Sequence, residues 1–200
     1  MQSMDQFALL EARGGRAPHE PAPLPPSDVL ASKLWGTPCW FSYRMNYLAQ
    51  RFNEPVYGRI AAVHGLLRAE FVVLYSLYLQ DRQTLSDIVS SSAFPKNTLS
   101  RAVQNLIKRG LLRRTGDKAD QRRAPLLLTE AGRTVVATEM EPMLMRERLM
   151  LAAITPAERL MLSDILSKLV VASREWPAAI TTDLGQVTET KKTSASESIE

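Results

Sequence analysis

Three groups of side chains in this 200-residue chain have the types and spacing to do chemistry. The first is the run RRTGDKADQRRAPLLLTEAG, residues 113–132, where arginines, a lysine and two aspartates crowd between two short apolar runs. Hairpin tips are wet and tolerate charge; a tip reaching for a phosphate backbone needs it. The second is PKNTLSRAVQNLIKRG, residues 95–110. Leu99, Ala102, Val103, Leu106 and Ile107 recur at helical spacing, and Asn97, Ser100, Arg101, Gln104 and Lys108 form the opposite, polar stripe, flanked by Lys96 and Thr98. Such side chains can reach base edges and phosphates in a major groove. Every amphipathic helix has a polar face, however, so the stripe alone does not decide.

The third group lies in PCWFSYRMNYLAQRF, residues 38–52. Phe41, Met45, Leu48 and Phe52 share one helical face, as core residues do. Trp40, Tyr43, Arg44 and Tyr47 share another, at i, i+3, i+4 and i+7. Three aromatics around a guanidinium could sandwich a flat anion, with Arg44 taking a carboxylate in bidentate fashion. The competing reading is plain packing, with Arg44 paired to a carboxylate of the protein. Cys39 opens the same segment. A helix N-terminus favours the thiolate and so promotes oxidation, although a lone cysteine is more often inert packing.

Composition bounds these options. The net charge is only +4. From Phe94 to Arg133, however, ten Lys/Arg stand against three Asp/Glu, a local excess of +7 that leaves −3 for the rest. A basic block in an otherwise acidic chain is the electrostatic footprint expected of a nucleic-acid binder. One cysteine excludes an intrachain disulfide, and with only His19 and His64 to assist, no zinc site is expected. No stretch approaches about 18 apolar residues and no secretory signal is evident, so the chain reads as cytoplasmic with no membrane partner. There is no nucleophile elbow, phosphate-binding glycine loop, metal-ligand cluster or placed Asp/His pair; neither an enzyme nor a cofactor is expected.

The elements that must position these groups are mostly helical. Five prolines between Pro18 and Pro26 mark residues 1–33 as a disordered, Pro-rich extension, and eight Ser/Thr in the last twenty residues mark 179–200 as a disordered tail. The folded unit is then 34–178. Helices are expected over 38–52 and 68–80. TLSD at 84–87 resembles a capping box opening a short helix, Pro95 suits a first helical position, and Gly110 stops the helix that follows. Two short strands surround the charged loop between Leu111 and Thr129. Thr129 caps a helix to about Leu151, and the capping box TPAE at 155–158 opens another that reaches Trp176 before Pro177. Leu162, Ile165, Leu166 and Leu169 stripe that last helix; Val135, Val136, Leu144 and Leu151 give its predecessor a looser apolar face.

A short capped helix, a tight turn, a polar-striped helix and an arginine-laden hairpin make a helix-turn-helix with a wing. TLSDIVSSSAFPKNTLSRAVQNLIKRGLLRR followed by DKADQRRAPLLLTEAG resembles the winged helix-turn-helix of MarR-type transcription regulators. That family's Asp-x-Arg before an LxLTxxG junction is met by Asp120, Gln121 and Arg122, then Leu126, Leu128, Thr129 and Gly132. The resemblance spans about residues 36–176. It implies a mainly α fold with a small β-wing, a DNA-binding core over about 66–132 and a helical dimerisation region. The implied assembly is a homodimer on a pseudo-palindromic duplex, with Arg122 entering a minor groove, Asp120 orienting it, and Arg123 and Lys118 meeting phosphates. Pro125 departs from the pattern by removing one ladder donor from the returning strand.

The same resemblance bears on what the regulator senses. Family members keep an effector pocket near the helix of Trp40, Tyr43, Arg44 and Tyr47, and many answer to aromatic acids. A repressor released by a small aromatic carboxylate, such as a hydroxybenzoate or hydroxynicotinate, is the expectation. The alternative is a thiol-based peroxide sensor using Cys39, with Tyr43 four residues on and Tyr57 further along; the family's second partner tyrosine is replaced here by Arg68.

Overall fold

The structure, a computed structural model, describes residues 28–115 and 124–177. The readings of the two termini as tails fall on residues 1–27 and 178–200, outside the described residues. So do the wing-tip positions Lys118, Asp120, Arg122 and Arg123. Helices α1 (Val29–Gly36), α2 (Trp40–His64), α3 (Arg68–Leu79), α4 (Leu85–Ser92) and α5 (Lys96–Lys108) precede the strands β1 (Leu112–Arg114) and β2 (Leu126–Leu128). Then follow α6 (Glu130–Met150), α7 (Pro156–Ala172) and a 3-10 turn at Ser173–Glu175. This is the mainly helical fold with a small two-stranded sheet that the sequence implies. Among the described residues no single helix is long and apolar enough to cross a membrane.

The capping signals sit where the sequence puts them. Thr84 N–H donates to the Asp87 carboxylate at 2.8 Å while Asp87 N–H donates back to Thr84 Oγ1 at 3.2 Å. Thr155 and Glu158 repeat the arrangement at α7. Helix α5 ends in a Schellman motif: Gly110, at φ 70°, donates to Ile107 and Leu111 N–H reaches back to Leu106. Pro95, expected at the first helical position, stands instead at the N-cap, one residue before Lys96 opens the helix.

Three elements differ from expectation. Residues 29–33, read as part of the extension, belong to α1, whose N-cap Asp28 accepts from Leu30 N–H at 2.6 Å. Helix α2 runs to His64, well past residue 52, and passes through Pro55. A proline lacks the N–H that would bond the carbonyl four residues back, here that of Arg51. The Arg146 guanidinium on α6 donates to that orphaned oxygen instead, through Nε and Nη2. The last helix stops at Ala172, and only the 3-10 turn carries the chain to Trp176.

The chain divides into two compact units, residues 1–154 and 155–200. In the first, α3 packs on α5, α6 and β2, and α2 packs on α6. Ile60, Phe71, Leu74, Leu99, Val103 and Leu106 are buried to 1% exposure or less. At the wing's return, Thr129 accepts from Gly132 N–H at 3.1 Å and donates to the Gly110 carbonyl at 2.8 Å. A Cβ on Gly132 would stand 2.2 Å from the Leu111 carbonyl oxygen, so the TxxG junction needs glycine to let α6 start against β1. In the second unit α7 has no buried residue.

Candidate nucleic-acid interface

Helix α5 separates its two faces cleanly. Leu99, Ala102, Val103 and Leu106 are buried, while Lys96, Asn97, Thr98, Arg101, Gln104 and Lys108 are exposed and Ser100 is half-buried. All seven positions proposed from sequence at or flanking the stripe therefore lie on one helix, outside its packed side. Among residues 28–115 the turn before it is tight: Ala93 sits at φ 56° and Phe94 is half-buried. The Arg68 guanidinium lies over the Phe94 ring at 5.5 Å and over Tyr57 at 5.1 Å, tying the turn to α2 and α3.

The far end of α5 is held by a contact the sequence did not reveal. Arg109, its C-cap, donates to the backbone carbonyls of His64 and Gly65 at 2.7 and 2.9 Å. Those carbonyls close α2, at the negative end of its dipole, where a guanidinium is favoured. The His64 ring in turn meets the Glu139 carboxylate on α6 through Nε2 at 2.9 Å. Arg59 Nε donates to the other Glu139 oxygen at 2.8 Å. Glu139 is 1% exposed, so a buried carboxylate joins the two long helices close to the residue that anchors α5. Separations of 44 to 80 positions along the chain hide this arrangement from local pattern reading.

The wing's base is also in place. Leu112, Arg113 and Arg114 pair antiparallel with Leu128, Leu127 and Leu126. Pro125 does not break this ladder: it stands just before β2 and contributes its carbonyl, which accepts from Thr115 N–H at 3.0 Å. Leu126 N–H donates to Gln83 at 2.9 Å, fastening the wing to the loop before α4. Arg113 is exposed and adds a cation beside the tip.

The predicted sensing residues lie at the start of α2. Arg44 is engaged by the protein itself: its guanidinium lies 5.0 Å from the ring centres of both Trp35 and Trp40 and donates to the Leu34 carbonyl at 2.9 Å. Trp35, on α1, is the partner that helical spacing within α2 does not reveal. Tyr43 and Tyr47 face each other with ring centres 6.2 Å apart. Cys39 is exposed at the N-cap. Tyr57 does not approach it within one chain: α2 is continuous, and 18 residues of helix separate them by about 27 Å. Tyr57 packs instead edge-on to Phe71 at 6.3 Å.

Comparison with known proteins places these features. Residues 64–123 match the family model described as MarR family. A MarR-family transcriptional regulator from Silicibacter pomeroyi is 30% identical, with 70% of this chain and 94% of that one covered and a TM-score of 0.61. A putative MarR-family regulator from Listeria monocytogenes, solved with a 26mer DNA, shares the fold at 21% identity, 66% and 88% coverage and a TM-score of 0.62. The PcaV regulator from Streptomyces coelicolor, solved with its natural ligand, shares it at 19% identity, 70% and 96% coverage and a TM-score of 0.56. Among curated proteins none matches the chain.

Proposed function

The chain belongs to the MarR family of DNA-binding transcriptional regulators, and we propose that it is a homodimeric repressor whose α5 helices read a pseudo-palindromic operator. The observation that carries this reading is α5 itself. Leu99, Ala102, Val103 and Leu106 of its apolar face are buried, and Lys96, Asn97, Thr98, Arg101 and Gln104 stand exposed together on the other. Residues 66–132 act as the DNA-reading core of a domain spanning 34–178. The wing residues Lys118, Asp120, Arg122 and Arg123 add backbone and minor-groove contacts beside it. Dimerisation sets the spacing of two readers, roughly 34 Å for half-sites one helical turn apart. The exposed apolar side chains of α6 and α7 support it: Met145, Leu149, Leu160, Met161, Ile165 and Val170 are 46–75% exposed in the single chain.

The regulator releases DNA when a small aromatic carboxylate binds it in preference to the DNA-bound form, because a ligand shifts an equilibrium only by its differential affinity. Trp40, Tyr43, Arg44 and Tyr47 are the residues assigned to that acid. Arg44, 5.0 Å from the centres of two indoles and bonded to Leu34 through Nη2, is the cation of that group. The exposed thiol of Cys39 supports the alternative, a peroxide-responsive switch at the same helix start.

The test is fluorescence anisotropy on the duplex upstream of the protein's own gene, titrated first with salt and then, in the preformed complex, with aromatic acids and a hydroperoxide. Log affinity is expected to fall steeply with log salt, since each phosphate contact releases counterions. Flat salt dependence, or equal affinity for a scrambled duplex, overturns the operator reading. Release by peroxide alone, lost in Cys39→Ser, replaces the acid with the thiol.

A further inference from the structure

Ten Lys/Arg crowd the stretch from Phe94 to Arg133, and by charge alone each is a candidate for the duplex. Arg109 is turned the other way. Its Nη1 and Nη2 donate to the carbonyls of Gly65 and His64 at 2.9 and 2.7 Å, although the residue as a whole is exposed. The last carbonyls of a helix have no donor within it and must find one outside. Gly65, at φ 60°, closes α2 through its own N–H to Ala61, and one guanidinium from α5 takes the two carbonyls at that end. Two bonds from a planar fork fix an angle as well as a distance, which a lysine ammonium does not. The surface that receives them is itself held: His64 Nε2 and Arg59 Nε both bind the Glu139 carboxylate, fastening the end of α2 to α6. At the other end of α5, Arg68 joins Phe94 in the turn to Tyr57 on α2. The helix is thus referred to α2 at both its ends.

We propose that Arg109 is a positioning residue for operator reading. It meets no phosphate; by clamping the last turn of α5 to the C-terminal carbonyls of α2, it sets the rotation at which Asn97, Arg101 and Gln104 face the duplex. Apolar packing presses α5 onto the core but is non-directional, whereas base-edge hydrogen bonds tolerate only about half an ångström. A small rotation is therefore enough to cost a contact. The proposal rests on the reading of α5 as the DNA-contacting helix and identifies what aims it. A phosphate contact and a clamp leave different signatures. Losing a phosphate cation weakens every duplex alike and lowers the salt slope by about one; losing the clamp weakens the operator selectively and leaves the slope nearly as it was.

The experiment measures anisotropy of the full chain on the duplex upstream of its own gene and on a scrambled duplex, each across a salt series. Thermal melts accompany every variant, and Arg101→Ala runs alongside as a direct-contact variant. Arg109→Gln is expected to lose about tenfold in operator affinity, the effect of one misplaced base contact, with scrambled-duplex affinity within about twofold of wild type. Arg109→Lys keeps the charge without the fork and should recover little of that loss. Full recovery by lysine, or equal losses on both duplexes with a shallower salt slope, overturns the proposal and makes Arg109 a phosphate contact. Losses on both duplexes in step with the melting temperature make it a packing residue and overturn the proposal too, as does an unchanged operator affinity. If Arg109→Gln melts too early to assay, Arg109→Lys decides: wild-type discrimination between the duplexes sinks the clamp, and reduced discrimination upholds it. Arg101→Ala separates the two readings. If it weakens operator binding while Arg109→Gln does not, α5 reads the duplex and the clamp falls. If both are silent, the reading of α5 falls and takes the proposal with it.

Discussion

Helices α5 and α7 obey the same local rules and reach opposite ends. Both begin at a proline and carry apolar residues at helical spacing; α7 also has the fuller cap. Leu99, Val103 and Leu106 of α5 are completely buried, whereas Leu160 and Val170 of α7 are 75% and 67% exposed and nothing on α7 is buried. Local pattern therefore decides that a helix forms, and neighbours decide whether its apolar side is used. The single chain supplies α5 with α3, α4 and β1 as neighbours. In the homodimer proposed above a second copy would cover α7, leaving α5 packed within its own chain and α7 dependent on the partner.

The largest test of that contrast applies one substitution chemistry to both helices. Leu106→Ala should cost about 2–5 kcal/mol in denaturant unfolding, because it opens a cavity in a sealed core. Its effect should not depend on protein concentration. Leu162→Ala should act through association, so its effect on the midpoint should shrink as concentration rises. Equal, concentration-independent losses at the two sites would break the comparison.

Arg101→Ala sharpens it from the functional side. An exposed side chain on a packed helix should leave the melting temperature unchanged while weakening operator binding by about 1–3 kcal/mol, as duplex titrations at fixed salt would read. Loss of stability in step with affinity would instead make Arg101 part of the packing. Next is Ala93, held at φ 56° in the turn before α5. Ala93→Gly should stabilise by about 0.5–1 kcal/mol at every concentration, since glycine takes that conformation without the Cβ penalty. A destabilised variant would mean that the turn is not strained.

The smallest effect is a pH dependence. The Thr84 backbone N–H, and next its hydroxyl, hold the exposed Asp87 carboxyl below its ordinary range. A carboxyl depressed by folding contributes stability that is present above its unfolded value and lost as the pH falls through the folded one. Amide exchange across residues 85–92 should therefore quicken as the pH drops from about 5 towards about 2, where carboxylates titrate, after correction for the intrinsic exchange rate. Asp87→Asn should flatten that response, and an unaltered profile would remove the capping box from the account.

Much of this was legible in sequence because its causes are local. Thr84, Thr129 and Thr155 announce helix starts through bonds reaching three residues ahead, and the α5 stripe is a matter of period. The rest depends on distant partners. The helix expected over 38–52 runs on through Pro55 because Arg146, ninety-five positions after Arg51, supplies the missing donor. Arg44 reads as an open anion site until Trp35 arrives from α1 to close one face. Helix α1 was masked by the prolines before it. Glu139, Arg59 and His64 are brought together only by the packing of α2 on α6. Lys118, Asp120, Arg122 and Arg123 rest on the family motif.

The bonds from Thr115 to the Pro125 carbonyl have a meaning for how such regulators diverge. They fasten the two stems of the wing beneath the tip, and Thr129 and Gly132 lock the return into α6, so the framework is complete before the tip begins. Residues 116–123 can then be exchanged or lengthened as a cassette, and doubling such a loop costs only roughly 0.6 kcal/mol of closure entropy. If the tip meets DNA as proposed, reading preference and foldability rest on different stretches of one hairpin, and changes of operator need not touch the stems.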